Sequence, residues 1–144
     1  MAREGFYFFK MSPWMGWGDE GYKEHINDPS IVKFANPIVR YLPLEAGFHN
    51  EFTTNAVHYG VWGLISTALV FFVPLALFLK AYRRRVNTQA ALIGITYMIC
   101  ELASAMSTEV WNLKFTAALS SIMIATLCGV LLGSTYPRVK TVIA

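Results

Sequence analysis

The sequence predicts an all-α membrane protein with three transmembrane helices and an extended, aromatic-rich N-terminal arm. Hydrophobic residues make up 55% of the chain, charged residues only 15%, and the mean hydropathy is +0.42. This composition is more apolar than that of an ordinary soluble domain. Three stretches also approach the length of about 20 residues with which a helix crosses a bilayer. The net charge of +3 is small and does not suggest a nucleic-acid binder.

Residues 1–54 form the only sizeable polar segment, which we interpret as an extrinsic docking arm. The segment carries five basic and seven acidic residues, and four prolines divide it into pieces too short for long helices. We expect its aromatic side chains to lie at headgroup level and on other subunits, and the isolated segment to have little stable fold. The prolines are Pro13, Pro29, Pro37 and Pro43, and the aromatic residues are Phe6, Tyr7, Phe8, Phe9, Trp14, Trp17 and Tyr22.

Residues 55–144 are predicted to form the transmembrane domain, and its first span covers about residues 56–79. This stretch is nearly free of charge and is followed by a basic cluster. Basic residues at the end of a span are typical of a topology signal beside lipid headgroups. The cluster consists of Lys80, Arg83, Arg84 and Arg85.

The second predicted span covers about residues 89–110 and contains Glu101 near its middle. Cys100, Ser104 and Thr108 repeat at every fourth position, which predicts a small polar face on a helix buried within the bundle. Only Glu109 to Lys114 separate this span from the next, so we expect a tight antiparallel hairpin.

The third predicted span covers about residues 115–136 and carries a small residue at every fourth position. Such a face allows close backbone approach, which is how helices associate in lipid. The face is expected to contact the chain's own helices, a neighbouring subunit or a planar pigment. We call it the small-residue face, and it consists of Ala117, Ser121, Ala125, Gly129 and Gly133.

No pattern typical of catalysis occurs in the sequence, so we expect a non-catalytic protein. Nucleophile and base spacings, glycine-rich phosphate loops and clustered metal ligands are all missing. Cys100 and Cys128 lie in hydrophobic stretches at a spacing that indicates neither a disulfide framework nor a zinc site.

Two polar residues in the spans are candidates for a binding role. His58 lies near the start of the first span, where an imidazole nitrogen can ligate a chlorophyll magnesium or a haem iron, or bond a neighbouring helix or headgroup. The later spans contain no histidine, so a second haem ligand would come from another chain. Glu101 is expected to be protonated, paired or beside a polar cavity. Its alternatives are a hydrogen bond within the bundle, a pigment ligand through water, and a proton path.

The order of several landmarks resembles that of the subunit L family of photosystem I. That family has an aqueous arm with an Asp-Pro and then a Leu-Pro, a first helix opened by E-x-x-x-x-H-G-Y, and a small-residue-rich last helix entered through W-x-x-F-T. The corresponding residues here are Asp28-Pro29, Leu42-Pro43, the His58 of His58-Tyr59-Gly60, Trp111 and Phe115-Thr116.

The resemblance implies a reaction-centre subunit of the thylakoid membrane that binds chlorophyll a and β-carotene. It also implies contacts with lipids, other photosystem I subunits, neighbouring core copies and antenna proteins, and a chlorophyll magnesium ligated by His58. The family's glutamate five residues before the histidine is Thr53 here. Glu51, two helical turns before His58, is the acidic residue that could cover the same face. The loop between the second and third helices is much shorter than in the family.

Charge and resemblance predict opposite membrane orientations. Lys80 to Arg85 share one side with Arg138 and Lys140 if there are three spans, and the positive-inside rule makes that side cytoplasmic or stromal. The resemblance implies that the N-terminal arm lies in the stroma and the C-terminus in the lumen, and we favour this arrangement because assembly with other subunits can override a charge bias.

Two other functions fit a small membrane protein of this kind. One is a membrane anchor of a respiratory complex, with His58 contributing to a haem or quinone site. The other is a three-helix antenna protein, but the E-x-x-H/N-x-R signature of such proteins is missing: Glu109-x-x-Asn112 is followed by Lys114 where an arginine would stand.

Overall fold

The computed structural model describes residues 2–25, 27–29, 48–107 and 114–135, and every element in these ranges is an α-helix. Three of the helices are long and apolar enough to cross a membrane, which confirms the predicted fold class. The elements are α1 (Ala2–Met11), α2 (Gly18–Glu24), α3 (Glu51–Arg83), α4 (Thr88–Ala105) and α5 (Lys114–Thr135).

The helix ends differ from the predicted spans mainly in α4. This helix ends at Ala105 rather than near residue 110, and its last turn is followed by a turn at Met106 and Ser107. Residues 108–113, which include most of the predicted hairpin connection, lie outside the described ranges. Asn87, at the start of α4, caps the helix by accepting a hydrogen bond from the Ala90 amide at 3.3 Å.

The backbone of α3 is broken at Gly60, whose φ of 64° and ψ of −144° are not helical. Residues 51–59 fold back along residues 61–71: the Asn55 amide donates to Thr67 Oγ1 at 2.9 Å, and the Phe52 and Phe71 rings stack at 5.8 Å. The predicted first span, 56–79, includes this break. The helix that follows the break is residues 61–83, about 35 Å long at 1.5 Å per residue, and its uncharged part, residues 61–79, is about 29 Å long, close to the thickness of the bilayer core.

The N-terminal arm supplies the hydrogen bonds that the break in α3 removes. The Val61 amide donates to the Pro13 carbonyl at 2.7 Å, and the Trp17 amide donates to the Val57 carbonyl at 2.8 Å. Gly60 faces this segment so closely that a Cβ there would lie 2.6 Å from the Pro13 carbonyl oxygen. The turn that joins α1 to α2 therefore sits in the gap of α3.

The described part of the arm is helical rather than extended, whereas the prediction that its prolines exclude long helices agrees with the structure. Prolines allow short helices between them, and α1 and α2 are short. An aromatic core fastens the arm to α3, so several of the aromatic residues that we placed on lipid and other subunits are buried in this chain. The buried members of this core are Phe8, Tyr22, Phe48 and Val57.

A second core joins the three long helices. Phe78 on α3 is fully buried and packs on Gly94 of α4, where a Cβ would lie 2.6 Å from the ring. The prediction that α4 is a helix buried within the bundle is wrong for much of its surface: only 28% of its residues are buried, and Cys100 and Ser104 are exposed. Thr108 lies outside the described ranges. The buried residues of this core are Phe71, Phe78, Ala90, Ala91, Met98, Ala105 and Leu131.

Candidate functional site

His58 lies in the last turn of α3 before the break, beneath the arm. Its side chain is only 16% exposed, and Nδ1 lies 3.4 Å from the Oδ1 of Asp19 on α2. The Tyr22 ring stacks on the imidazole at 5.5 Å, and the Tyr59 ring meets it edge-on at 5.9 Å. Tyr59 also donates its hydroxyl to Asp19 Oδ1 at 3.1 Å. His58 is therefore positioned by two elements, α2 and α3.

The carboxylate beside Nδ1 has a chemical consequence for the other ring nitrogen. A histidine that ligates a metal usually presents its second nitrogen to a carboxylate or carbonyl, which selects the tautomer and orients the ring. With the proton on Nδ1, facing Asp19, the lone pair lies on Nε2. His58 can thus act as a neutral axial ligand through Nε2. Asp19 was not found from the sequence, because nothing local in residues 18–24 indicates that α2 packs over His58.

Exposed aromatic and apolar side chains surround the junction near His58. Trp14 and Met15 are 70% and 77% exposed, and Tyr59 and Trp62 are 49% and 61% exposed. These four residues belong to the two chain segments that meet at Gly60, because the Trp14 carbonyl oxygen would lie 2.6 Å from a Cβ on that glycine. The junction therefore presents a broad apolar surface to lipid, to a flat ligand or to another subunit.

Glu51 lies in a different environment, inside the fold of α3. It is only 1% exposed, and its Oε1 accepts a hydrogen bond from the Asn55 amide at 2.9 Å. Asn55 also donates to Thr67, whose hydroxyl donates to the Gly63 carbonyl at 2.8 Å. Charged groups are buried only with such partners. The predicted ligand Glu51 is thus engaged in the polar network that holds residues 51–59 against residues 61–71.

Glu101 joins α4 to α5 about one turn before α4 ends at Ala105, so it lies nearer the end of this helix than the predicted span implied. Its Oε1 accepts a hydrogen bond from the Ser120 hydroxyl at 2.9 Å, and Ser120 accepts from the Tyr97 hydroxyl at 3.0 Å. The hydrogen bond within the bundle, one of the expected alternatives, is therefore present. The other carboxyl oxygen, Oε2, is shielded from solvent and has no hydrogen-bond partner among the described residues. A water molecule or a polar group of a ligand at Oε2 would satisfy this oxygen.

The small-residue face of α5 points away from the bundle. Only 11% of residues Thr116–Gly133 are buried, and a Cβ on Gly129 or Gly133 would meet no atom within 4 Å. Ser120 and Leu131, on another side of the same helix, contact the bundle. Contact with the chain's own helices, the first of the three expected roles, is therefore not made by these glycines among the described residues. A neighbouring subunit and a planar pigment remain as predictions.

In the described ranges, no group of three or more histidine, cysteine, aspartate or glutamate side chains could hold a metal ion. Cys100 and Cys128 are both free thiols. No protein-family model, curated protein or solved structure shows significant similarity to the chain.

Proposed function

We propose that this multi-pass membrane protein is a non-catalytic subunit of a photosystem I type reaction centre, where it binds chlorophyll a and carotenoid and joins the core to neighbouring subunits or antenna proteins. The observation that carries the assembly role is the outward position of the small-residue face on α5. A helix with so little of its surface covered inside its own chain is suited to association with another membrane protein.

The exposed apolar surface supports the same role. Large hydrophobic side chains on all three long helices point outward, among them Trp62, Phe72, Ile93 and Ile122 at 50–63% exposure. In a membrane these side chains lie against lipid, pigment or protein. Only small residues allow two helix backbones to come close. We therefore assign contact with another protein to the small-residue face of α5, and contact with lipid and pigment to the helix faces that carry the exposed bulky side chains.

The pigment role is supported by His58 and its surroundings. Nδ1 faces Asp19 at 3.4 Å, and this arrangement orients the ring as it would for a single axial ligand to a chlorophyll magnesium. Bound chlorophyll would supply light absorption and energy transfer, whereas the protein supplies the ligand, its orientation and an apolar wall. Trp14 and Trp62, both exposed at this junction, are suited to packing on a flat macrocycle.

The second candidate function is a membrane anchor of a respiratory complex with a quinone site. The observation that favours it is the Glu101 carboxyl, whose Oε2 lacks a partner among the described residues while Tyr97 and Ser120 lie on its other side. When it carries a proton, a carboxyl group can donate a hydrogen bond to a quinone carbonyl. A haem bound by two histidines would need the second histidine from another chain, because α4 and α5 contain none and His25 and His49 precede the bundle.

Purification of the native complex followed by an absorption spectrum and pigment extraction tests these functions. Chlorophyll a and carotenoid in fixed ratio to the chain support the photosystem proposal. A haem spectrum, or a quinone without chlorophyll, would support the respiratory alternative and overturn the first. The variant His58→Leu should retain assembly and lose one chlorophyll per chain. Retention of every chlorophyll in that variant would remove His58 from the pigment site.

A further inference from the structure

A groove of about 280 Å³ runs between the C-terminal half of α3 and the C-terminal half of α5. Its floor is apolar, and Lys80 in the last turn of α3 and Arg84 just after this helix lie at its rim. Leu77, Lys80, Ala81 and Arg84 follow a spacing of three and four residues, which places them on one side of α3. Cys128 and Leu131 of α5 form the opposite wall.

The rim carries positive charge that is not neutralised within the described chain. Lys80 and Arg84 are one helical turn apart and both exposed, and no carboxylate forms an ion pair with either of them among the described residues. The groove itself contains no acidic side chain. A molecule that fills the apolar floor and also neutralises the basic rim must therefore combine an apolar body with an anionic end.

The position of the groove in the membrane restricts the occupant further. Lys80 and Arg84 lie in the last turn of α3 and just beyond it, where a spanning helix meets the headgroup layer. Lysine and arginine at such positions extend to the interface while their aliphatic stems stay in the apolar layer. Basic pockets between transmembrane helices are known to hold the headgroups of anionic lipids.

We propose that this groove binds one anionic phospholipid, with an acyl chain along the walls formed by Leu77, Ala81 and Leu131 and the phosphate on Lys80 and Arg84. This inference is independent of the proposed photosystem function.

The test uses the full chain in nanodiscs that contain phosphatidylcholine with a minor fraction of phosphatidylglycerol, followed by native mass spectrometry of the lipids that stay bound. We expect one tightly bound phosphatidylglycerol per chain, enriched over its share in the disc. The double variant Lys80→Gln/Arg84→Gln should weaken its retention by about tenfold or more.

The matched control is Arg83→Gln/Arg85→Gln, which removes the same two charges from the same helix end. Arg83 and Arg85 line a separate cavity beside Thr88 and do not line the groove. This control should retain the lipid, and it also shows whether charge loss alone disturbs insertion. Circular dichroism of both variants confirms that the helices still form.

Three outcomes would overturn the proposal. Equal loss of lipid in both double variants would show a diffuse charge effect and no site. Equal retention of phosphatidylcholine, whose phosphate is balanced by a quaternary ammonium, would show that the net negative charge of the lipid is not recognised. Displacement of the lipid by millimolar inorganic phosphate would show a site for free anions, because an acyl chain held in the groove should resist that competition.

Discussion

Val57 and Val61 would share a backbone hydrogen bond in an unbroken helix, and both bond the N-terminal arm instead. The Val57 carbonyl accepts from Trp17 at 2.8 Å, and the Val61 amide donates to Pro13 at 2.7 Å. Each protein hydrogen bond contributes about 1 kcal/mol net, and an unsatisfied backbone group in an apolar region costs more. The arm is thus a structural part of the first span, because its removal leaves both groups of the break without partners.

The first prediction concerns Gly60, which stands in this break. The variant Gly60→Ala places a Cβ within 2.6 Å of the Pro13 and Trp14 backbone and in a φ and ψ region that only glycine adopts readily. We expect the arm to separate from α3, with a loss of about 2–4 kcal/mol in the free energy of unfolding. Hydrogen exchange at the Trp17 and Val61 amides in mild detergent measures this separation.

Gly18→Ala is the control for Gly60→Ala. Gly18 also has a positive φ, 70°, but a Cβ there would meet nothing within 4 Å. Its variant should therefore show only the backbone strain of about 1–2 kcal/mol. If both variants increase hydrogen exchange at the Val61 amide equally, the close approach of the arm to Gly60 does not contribute to holding the arm on α3.

The second prediction concerns Ser120, which connects Glu101 and Tyr97. Ser120→Ala removes the donor to Glu101 Oε1 and the acceptor for Tyr97 in a partly buried network. We expect a loss of about 1–3 kcal/mol in the free energy of unfolding, measured by denaturant titration in detergent. Ser121→Ala should change it by less than about 0.5 kcal/mol, because the exposed Ser121 hydroxyl bonds only the Ala117 carbonyl of its own helix. Similar losses in the two variants would show that the Glu101 network contributes little to stability.

The third prediction concerns Asp19 and rests on the proposed pigment role. Asp19→Asn removes the carboxylate beside His58 with little change in shape, so the ring loses the group that selects its tautomer. Loss of such a partner typically weakens metal ligation by about 10–100-fold, so we expect partial loss of one chlorophyll and a shifted absorption band. Stability should change little, since Asp19 is 72% exposed.

Asp28→Asn provides the matched control. Asp28 lies 3.0 Å from His25 in the same kind of contact, but not beside His58. The absorption spectrum of this variant should be unchanged. An unchanged spectrum in Asp19→Asn as well would count against His58 as a ligand that Asp19 orients.

The fourth prediction concerns the small-residue face. Gly129→Leu raises the helix propensity of α5, so a loss of assembly in this variant comes from the contact surface and not from an unstable helix. We expect a smaller complex in size-exclusion chromatography or native gels. Leu131 is not a suitable control, because it is 8% exposed and belongs to the core, so Leu131→Ala would create a cavity.

Val130→Leu is the better comparison for Gly129→Leu. Val130 is 45% exposed and points about 100° away from Gly129 around the helix. Its variant also ends in leucine and should leave assembly intact. Equal tolerance of the two changes would show that the repeat of small residues is incidental.

The three long helices could be predicted from the sequence because length and apolar composition are local properties. The break at Gly60 could not, since the hydrogen bonds that compensate for it join Val61 to the Pro13 carbonyl and the Trp17 amide to Val57, and both partners are far away in the sequence. His58 could be found because its place in an apolar stretch is a local property. Asp19 could not, because its contact with His58 joins residues that are far apart in the sequence. The exposure of Cys100 depends on which side of α4 faces α3, and a spacing of four residues recurs on every side of a helix.

The last prediction concerns the arm on its own. A peptide of residues 1–54 contains α1 and α2 but ends before Val57, His58 and Val61, so it lacks both backbone partners and a wall of the aromatic core. It should show little helix by circular dichroism and little protection in hydrogen exchange, because it buries too little apolar surface to offset chain entropy. A longer peptide, residues 1–72, restores these partners and should gain protection at the Trp17 amide in detergent micelles. Strong protection in the shorter peptide would show that the arm folds by itself. If protection at the Trp17 amide does not increase in the longer peptide, the remaining helices are needed to keep α3 broken at Gly60.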